Sequence, residues 1–345
     1  MKLIKLILLI IIATSAWYFY TEIFSSSAQD GERVEFKIES GESVAALAAR
    51  LEEDHVIRSS WMFKKFITWK GIDRDIRQGT FTVEGPITLS RVVAALAHPS
   101  VQERTITIIP GWSIRDIAQY FEREGIFQAE EVTEFLGLSA VDYRGITDME
   151  APTDVYMEYD VLQGKPWYVS YDGYITPDTY RVFKDATVEE IFGKLIAQRN
   201  AQFTDDMYRD IKQADRTIYE IITMASILER EVRGETDKKI VADLFWRRYD
   251  MNWALQADSS VHYLTGKSGD VFTTKEDRES LSPWNTYKYP GLPLGPISNP
   301  SLESIVAAIY PTSNDNWYFL TDLDGVVHYA TDLEGHNSNV AKYLR

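Results

Sequence analysis

Glu229 and Glu231 stand at the end of a run that is apolar on nearly every side. Ile218, Ile222 and Ala225 recur at helical spacing on the stripe that Glu229 continues, while Met224, Ile227 and Leu228 form the side on which Glu231 lies. A helix apolar over most of its circumference is a buried helix, and a carboxylate inside it is costly unless paired. Burial shifts such a group towards its protonated form. A carboxyl that keeps its proton near neutrality is what general acid catalysis requires, for instance to protonate the leaving oxygen of a glycosidic bond. An ordinary glycosidase sets two carboxylates across that bond, about 5–10 Å apart. Two residues along an α-helix are roughly 200° of rotation, so Glu229 and Glu231 face opposite ways and cannot be that pair. The plainer reading of the same residues puts both glutamates on a solvated last turn, paired with Arg230 or Arg233.

Further polar residues follow in a fixed order. Leu255-Gln256-Ala257-Asp258 comes first, then Asn285-Thr286-Tyr287, then the stiff loop Gly291-Leu292-Pro293-Leu294-Gly295-Pro296-Ile297-Ser298-Asn299-Pro300. Gly335-His336-Asn337 stands near the end, and Gly173-Tyr174-Ile175-Thr176-Pro177-Asp178-Thr179-Tyr180 lies upstream. Taken in order with the Ala225-Ser226-Ile227 helix and its two glutamates, these stretches resemble the MltG/YceG family of endolytic murein transglycosylases. Asp172 and Ile175-Thr176 depart from the family's pattern. The resemblance covers about residues 34–345.

The resemblance implies a lytic transglycosylase, for which one carboxyl suffices. It protonates the leaving oxygen and then, as carboxylate, helps the muramoyl 6-hydroxyl close a 1,6-anhydro ring, with no water consumed. The family pattern points to the second glutamate, so Glu231 is expected to be the acid/base and Glu229 a supporting or alternative carboxyl. Gln256 and Asn285 offer both donor and acceptor to sugar amides and hydroxyls. Asp258, Thr286, Tyr287 and Tyr180 complete the expected substrate-binding set, and the 291–300 loop is expected to bring backbone close to substrate. His336 is expected to be structural. No cofactor and no metal is expected; Asp322 and Asp324 read as turn chemistry.

Composition narrows the partners. The chain has 345 residues, enough for two or three domains, and no cysteine, which removes disulfides, thiol nucleophiles and thiolate metal sites. A formal net charge of −16 argues against nucleic acid, which calls for a basic footprint. Binding of a glycan strand would then rest on local stacking and hydrogen bonds, for which nine Trp and twenty Tyr provide material.

The elements that must carry these residues follow from the patterning. Lys2 and Lys5 precede an apolar run over 6–24 that ends in Trp17-Tyr18-Phe19-Tyr20. Its length and flanks predict a single-pass anchor with a cytoplasmic N-terminus and the body on the outer, periplasmic side of the inner membrane, with a cleaved signal peptide as the competing reading. A polar linker covers 25–33. Residues 34–125 repeat a strand, Gly-x-Ser, helix pattern, with Ser43 as an N-cap, and resemble the family's LysM-like module. A connecting region spans 126–165, and 166–345 is expected to be the catalytic domain. The fold class expected is α+β: a membrane helix, a LysM-like α/β module and a C-terminal mixed α+β domain. The partners the resemblance implies are peptidoglycan strands, the cytoplasmic membrane and peptidoglycan synthases. A non-catalytic wall-binding scaffold and a glycosidase using Asp258 as second carboxylate remain the alternatives.

Overall fold

The computed structural model describes residues 17–26, 33–39, 41–73, 78–83, 85–97, 103–152, 158–266 and 273–344, with the single positions 10, 13, 14 and 76. The chain is mixed α+β, mostly helical, with small two-stranded sheets. It divides into two compact units, residues 1–105 with 181–186, and residues 106–180 with 187–345.

In the first unit, strands β1 (Val34–Ile38) and β2 (Gly79–Val83) pair antiparallel, with Phe36 opposite Phe81 and Val34 opposite Val83. Alternation turns Phe36, Ile38, Phe81 and Val83 inward, and the two phenylalanine rings stack at 5.8 Å. Helices α1 (Val44–Glu53), α2 (Ser60–Lys70) and α3 (Leu89–Ala97) close over that face. Ser43 and Ser59 cap the first two by accepting from Ala46 and Met62 N–H, as short hydroxyls do at helix starts. Gly71 ends α2 at φ 75°, a left-handed turn that favours glycine.

Strands β3 (Glu103–Thr107) and β4 (Thr179–Phe183) form the second sheet. Helix α4 (Ile114–Arg123), read from sequence with the N-terminal module, lies in the second unit. Its first N–H is accepted by buried Asp172 at 2.7 Å, and its apolar stripe Ile114, Ile117 and Phe121 is buried there. The described part of the connecting region holds helix α5 (Ala129–Leu136) and short 3₁₀ turns at Tyr143–Gly145 and Asp160–Leu162.

Helices α6 (Val188–Gln202), α7 (Asp205–Gln213), α8 (Ile218–Glu231) and α9 (Glu235–Asp250) build the body of the second unit. Then come α10 (Asp258–Thr265), the single turn α11 (Lys275–Arg278) and α12 (Leu302–Ile309). The chain ends on strands β5 (Tyr318–Thr321) and β6 (Val327–Ala330) and helix α13 (Leu333–Tyr343). Every residue of α8 from Ile221 to Leu228 is buried, because α9, α10 and α12 pack around it. It starts in a reciprocal cap in which Thr217 accepts from Glu220 N–H and Glu220 accepts from Thr217 N–H. The β5–β6 hairpin turns through Asp322, which accepts from Asp324 N–H, Val326 N–H and His328. Among the described residues no group of three or more His, Cys, Asp or Glu comes together as a metal site.

No helix of the described residues is long and apolar enough to cross a membrane. The expected anchor falls in part outside them, at 1–9, 11–12 and 15–16; residues 17–24 are helical.

Candidate active site

Helix α8 stops at Glu231 because Val232 takes an extended conformation and Gly234, at φ 82°, turns the chain into α9. Glu231 therefore sits at the carbonyl end of a buried helix, where the dipole disfavours negative charge. Its carboxyl faces a cavity of about 840 Å³ whose wall includes Gln256, Asp258, Arg278, Tyr287, Arg248 and His336. Burial raises the Glu231 pKa above the ordinary carboxylate value, and the negative charge of Asp258 adds to that rise. Hydrogen bonding from Ser259, whose backbone N–H lies 3.3 Å from Oε1, and the charge of Arg230 pull the other way.

Asp258 opens α10 two residues after a strained backbone position. Gln256 holds φ at 57°, in the left-handed region, with its N–H on the Thr286 carbonyl at 3.1 Å and its side chain exposed at the cavity. The Asp258 Oδ1 accepts from Thr273 Oγ1 at 2.6 Å and Tyr287 OH at 3.0 Å, with Arg278 Nε at 3.8 Å. Burial and Asp258 together push the Tyr287 phenol well up, so it stays a donor. Arg248 reaches the same wall from α9. Its Nη1 and Nη2 donate to the Leu255 and Trp317 carbonyls at 2.7 and 2.5 Å, and burial lowers its pKa.

Four of the sequence-selected residues, Glu231, Gln256, Asp258 and Tyr287, thus border one cavity. Asn285 and Thr286 do not line it. Asn285 is buried, and its amide donates to the Arg278 and Ser280 carbonyls at 2.9 and 2.8 Å while its Oδ1 accepts from Tyr287 N–H. The Thr286 hydroxyl is buried between Ala257 N–H and Ser260 Oγ. Asn285 thus holds the Tyr287 backbone and Thr286 the Ala257 backbone beside Asp258. Tyr180 is likewise away from the cavity, buried with its OH on the Thr176 carbonyl at 2.8 Å.

The 291–300 loop braces α8. Ile297 N–H donates to Ser226 Oγ at 3.0 Å, Ser298 Oγ donates to the Ser226 carbonyl at 2.9 Å, and Tyr219 OH donates to the Leu294 carbonyl. None of residues 293–300 lines the Glu231 cavity; the contacts they make here are packing contacts with α8. A Cβ on Gly173 would lie 2.6 Å from the Ile222 side chain and 2.7 Å from Pro296, which explains glycine there. Asn299 ties the motifs together. Its Oδ1 accepts from Gly173 and Ile175 N–H at 2.9 Å each, and its Nδ2 donates to the Trp112 carbonyl.

Glu229 points the other way and is saturated. Its Oε2 accepts from Ser301 N–H at 2.8 Å, Ser301 Oγ at 2.5 Å and Ser304 Oγ at 2.7 Å, and buried Lys238 lies 3.4 Å from both oxygens. Sequence reasoning missed Arg248, Arg278 and Tyr318 as cavity residues, and placed His336 as structural although it borders the cavity, stacked on Tyr318 at 5.3 Å. Nothing in their local spacing signals convergence, although His336 stands within the Gly335-His336-Asn337 stretch and Arg248 only seven residues before Leu255.

The family model described as the YceG-like family matches residues 36–342. The chain is similar to the endolytic murein transglycosylase of Streptococcus pneumoniae strain D39, 26% identical over 98% of this chain and 64% of that protein. It is also similar to the endolytic murein transglycosylase of Bacillus subtilis strain 168, 29% identical over 90% of this chain and 85% of that protein. The chain spans about 64% of the length of the S. pneumoniae relatives it matches. A 2.6 Å crystal structure of a YceG-like protein from Listeria monocytogenes superposes with TM-score 0.57 at 25% identity, covering 89% of this chain and 99% of that one.

Proposed function

The chain belongs to the YceG-like family, and from that premise we propose that it is an endolytic murein transglycosylase with Glu231 as its acid/base. The observation that carries the proposal is the position of Glu231. It is a carboxyl raised in pKa by burial and by a neighbouring carboxylate, at the edge of a cavity large enough for sugar rings. In the forward step Glu231 gives its proton to the glycosidic oxygen as the muramoyl carbon develops oxocarbenium character. The resulting carboxylate is stabilised by the Ser259 N–H and the charge of Arg230, and it then takes the proton of the muramoyl 6-hydroxyl as that oxygen closes the anhydro ring. Asp258, held by Thr273, Tyr287 and Arg278, keeps the Glu231 proton on before the reaction and lies close enough in the same wall to support developing positive charge. Gln256, exposed on its strained turn, meets the N-acetyl or hydroxyl groups of the strand.

The placement we propose is the outer face of the cytoplasmic membrane, through the apolar run at 6–24 preceded by Lys2 and Lys5. There the enzyme would act on nascent strands beside peptidoglycan synthases and end their elongation, with the LysM-like module contributing glycan contact. A second reading is hydrolysis, favoured by one observation: Asp258 shares the cavity with Glu231. The experiment is incubation of the purified full chain with uncrosslinked glycan strands, followed by identification of the new ends. 1,6-Anhydromuramoyl ends support the proposal and reducing muramic ends select hydrolysis. Strands left intact select the scaffold.

A further inference from the structure

Because Glu229 and Glu231 leave α8 roughly 200° apart, the helix end borders two cavities. The second, of about 540 Å³, lies on the Glu229 side, walled by residues 109–113, 115 and 116, by Arg230 and Arg233, and by His262 of α10. Three guanidiniums, Arg115, Arg230 and Arg233, border it in a chain of net charge −16. Among the described residues none of the three has a carboxylate oxygen within 4 Å. Arg115 spends Nη1 on the Tyr263 carbonyl at 3.1 Å, and Arg230 makes only a 3.5 Å contact to the Gly111 carbonyl. His262 Nε2 is buried without a hydrogen-bond partner.

The acids in the same wall are already engaged. Asp116 Oδ2 accepts from Ser113 N–H at 2.8 Å and Ser113 Oγ at 2.7 Å, and Glu229 is held by Ser301, Ser304 and Lys238. Burial weakens the hold of Arg230 on its proton, and Asp116 and Glu231 only partly offset this. A cation taken from water without a close anion is costly, and an arriving anion relieves that cost.

We propose that this cavity is a subsite for a carboxylate of the substrate, the carboxylate of a peptide branch of murein, held by Arg115, Arg230 and Arg233 with His262 beside them. The identity of the ligand rests on the murein reading above. Planar guanidiniums match a carboxylate two oxygens at a time. Asp116 and Glu229 in the wall favour a monoanion over the dianionic charge of a phosphate monoester. The subsite lies across the helix end from the acid, so a strand whose sugars occupy the Glu231 cavity would be sensed a second time through its branch.

The test is equilibrium binding of muramyl dipeptide and of its methyl ester to the full chain, measured by calorimetry. The free acid is expected to bind at least about tenfold more tightly than the ester, the yield of one charge-assisted contact. Arg233→Ala, at an exposed position, and Arg115→Gln are each expected to remove most of that difference. Equal binding of acid and ester overturns the subsite, as does a difference that survives both substitutions. Inorganic phosphate that displaces the acid more strongly than acetate does overturns the choice of a carboxylate. The two readings fail separately: a chain that discriminates acid from ester but releases no glycan fragments keeps the subsite and loses the transglycosylase.

Discussion

On one side of the end of α8, Glu229 receives three short hydrogen bonds and a lysine; on the other, Glu231 faces a cavity with the Ser259 N–H at 3.3 Å. The residues are two apart and chemically identical, yet one is a strut and the other is available for proton transfer. The difference lies in their partners. α12 brings Ser301 and Ser304 to the Glu229 side, which occupies its oxygens with hydrogen bonds. α10 brings Asp258 to the Glu231 side, which opposes ionisation. Saturation of a buried carboxylate marks structure, and an under-coordinated one beside an open cavity marks chemistry.

The largest expected break in this comparison is Glu231→Gln, which keeps shape and hydrogen bonding but has no proton to give. Glycan cleavage should fall by about 10²–10⁴-fold with the melting temperature close to that of the parent. On the opposite side Glu229→Ala leaves buried Lys238 with the half-exposed Glu303 at 3.0 Å and the Ser301 hydroxyl at 3.5 Å. It should lower the unfolding free energy by about 3–5 kcal/mol, and Glu229→Gln by a smaller ~1–3 kcal/mol, read in urea melts. A Glu229→Gln protein that is folded and inactive beside an active Glu231→Gln would reverse the two roles.

A finer probe is pH. On the proposed assignment the protonated Glu231 is the working form, so kcat/KM should fall as pH rises through its raised pKa, above the usual carboxylate range. Asp258→Asn removes the adjacent negative charge and should move that limb to lower pH; a limb that stays in place removes Asp258 from the account. The same shift has a stability consequence. A carboxyl raised in the folded state contributes fully below its unfolded pKa, and the contribution is lost as pH rises through the folded value. The smallest effect concerns Gln256. Glycine accepts φ 57° without strain, so Gln256→Gly should raise stability by up to about 1 kcal/mol while weakening substrate binding, seen as a higher melting temperature with a higher KM.

How much of this was legible in the sequence differs by kind of residue. The buried helix Ile218–Glu231, the cap at Ser43 and the hairpin around Asp322–Gly325 follow from local pattern, because periodicity and turn chemistry are local. Helices Asp258–Thr265 and Leu302–Ile309 flank a stretch punctuated by glycine and proline, and the motif order alone does not mark them; Ser301, directly after Pro300, caps the second by accepting from Ser304 N–H. Polar motif residues read as ligands divide on burial, which spacing does not reveal. Gln256 and Tyr287 reach the cavity, while the Asn285 amide is consumed by the Arg278 and Ser280 carbonyls. Arg248 was illegible for the complementary reason. A helical arginine reads as solvated; its burial is made tolerable by the Leu255 carbonyl seven residues on, by the Trp317 carbonyl from a distant segment and by the Trp253 and Tyr318 rings.

The measurement closest to the central claim, that a single carboxyl works without water, is cleavage of glycan strands in ¹⁸O-labelled water by the full chain and by Glu231→Gln, read by mass spectrometry of the muramoyl ends. The account predicts unlabelled 1,6-anhydro ends from the parent and essentially none from the variant. Label at the muramic C1 of the parent's products, or undiminished anhydro ends from Glu231→Gln, would contradict it.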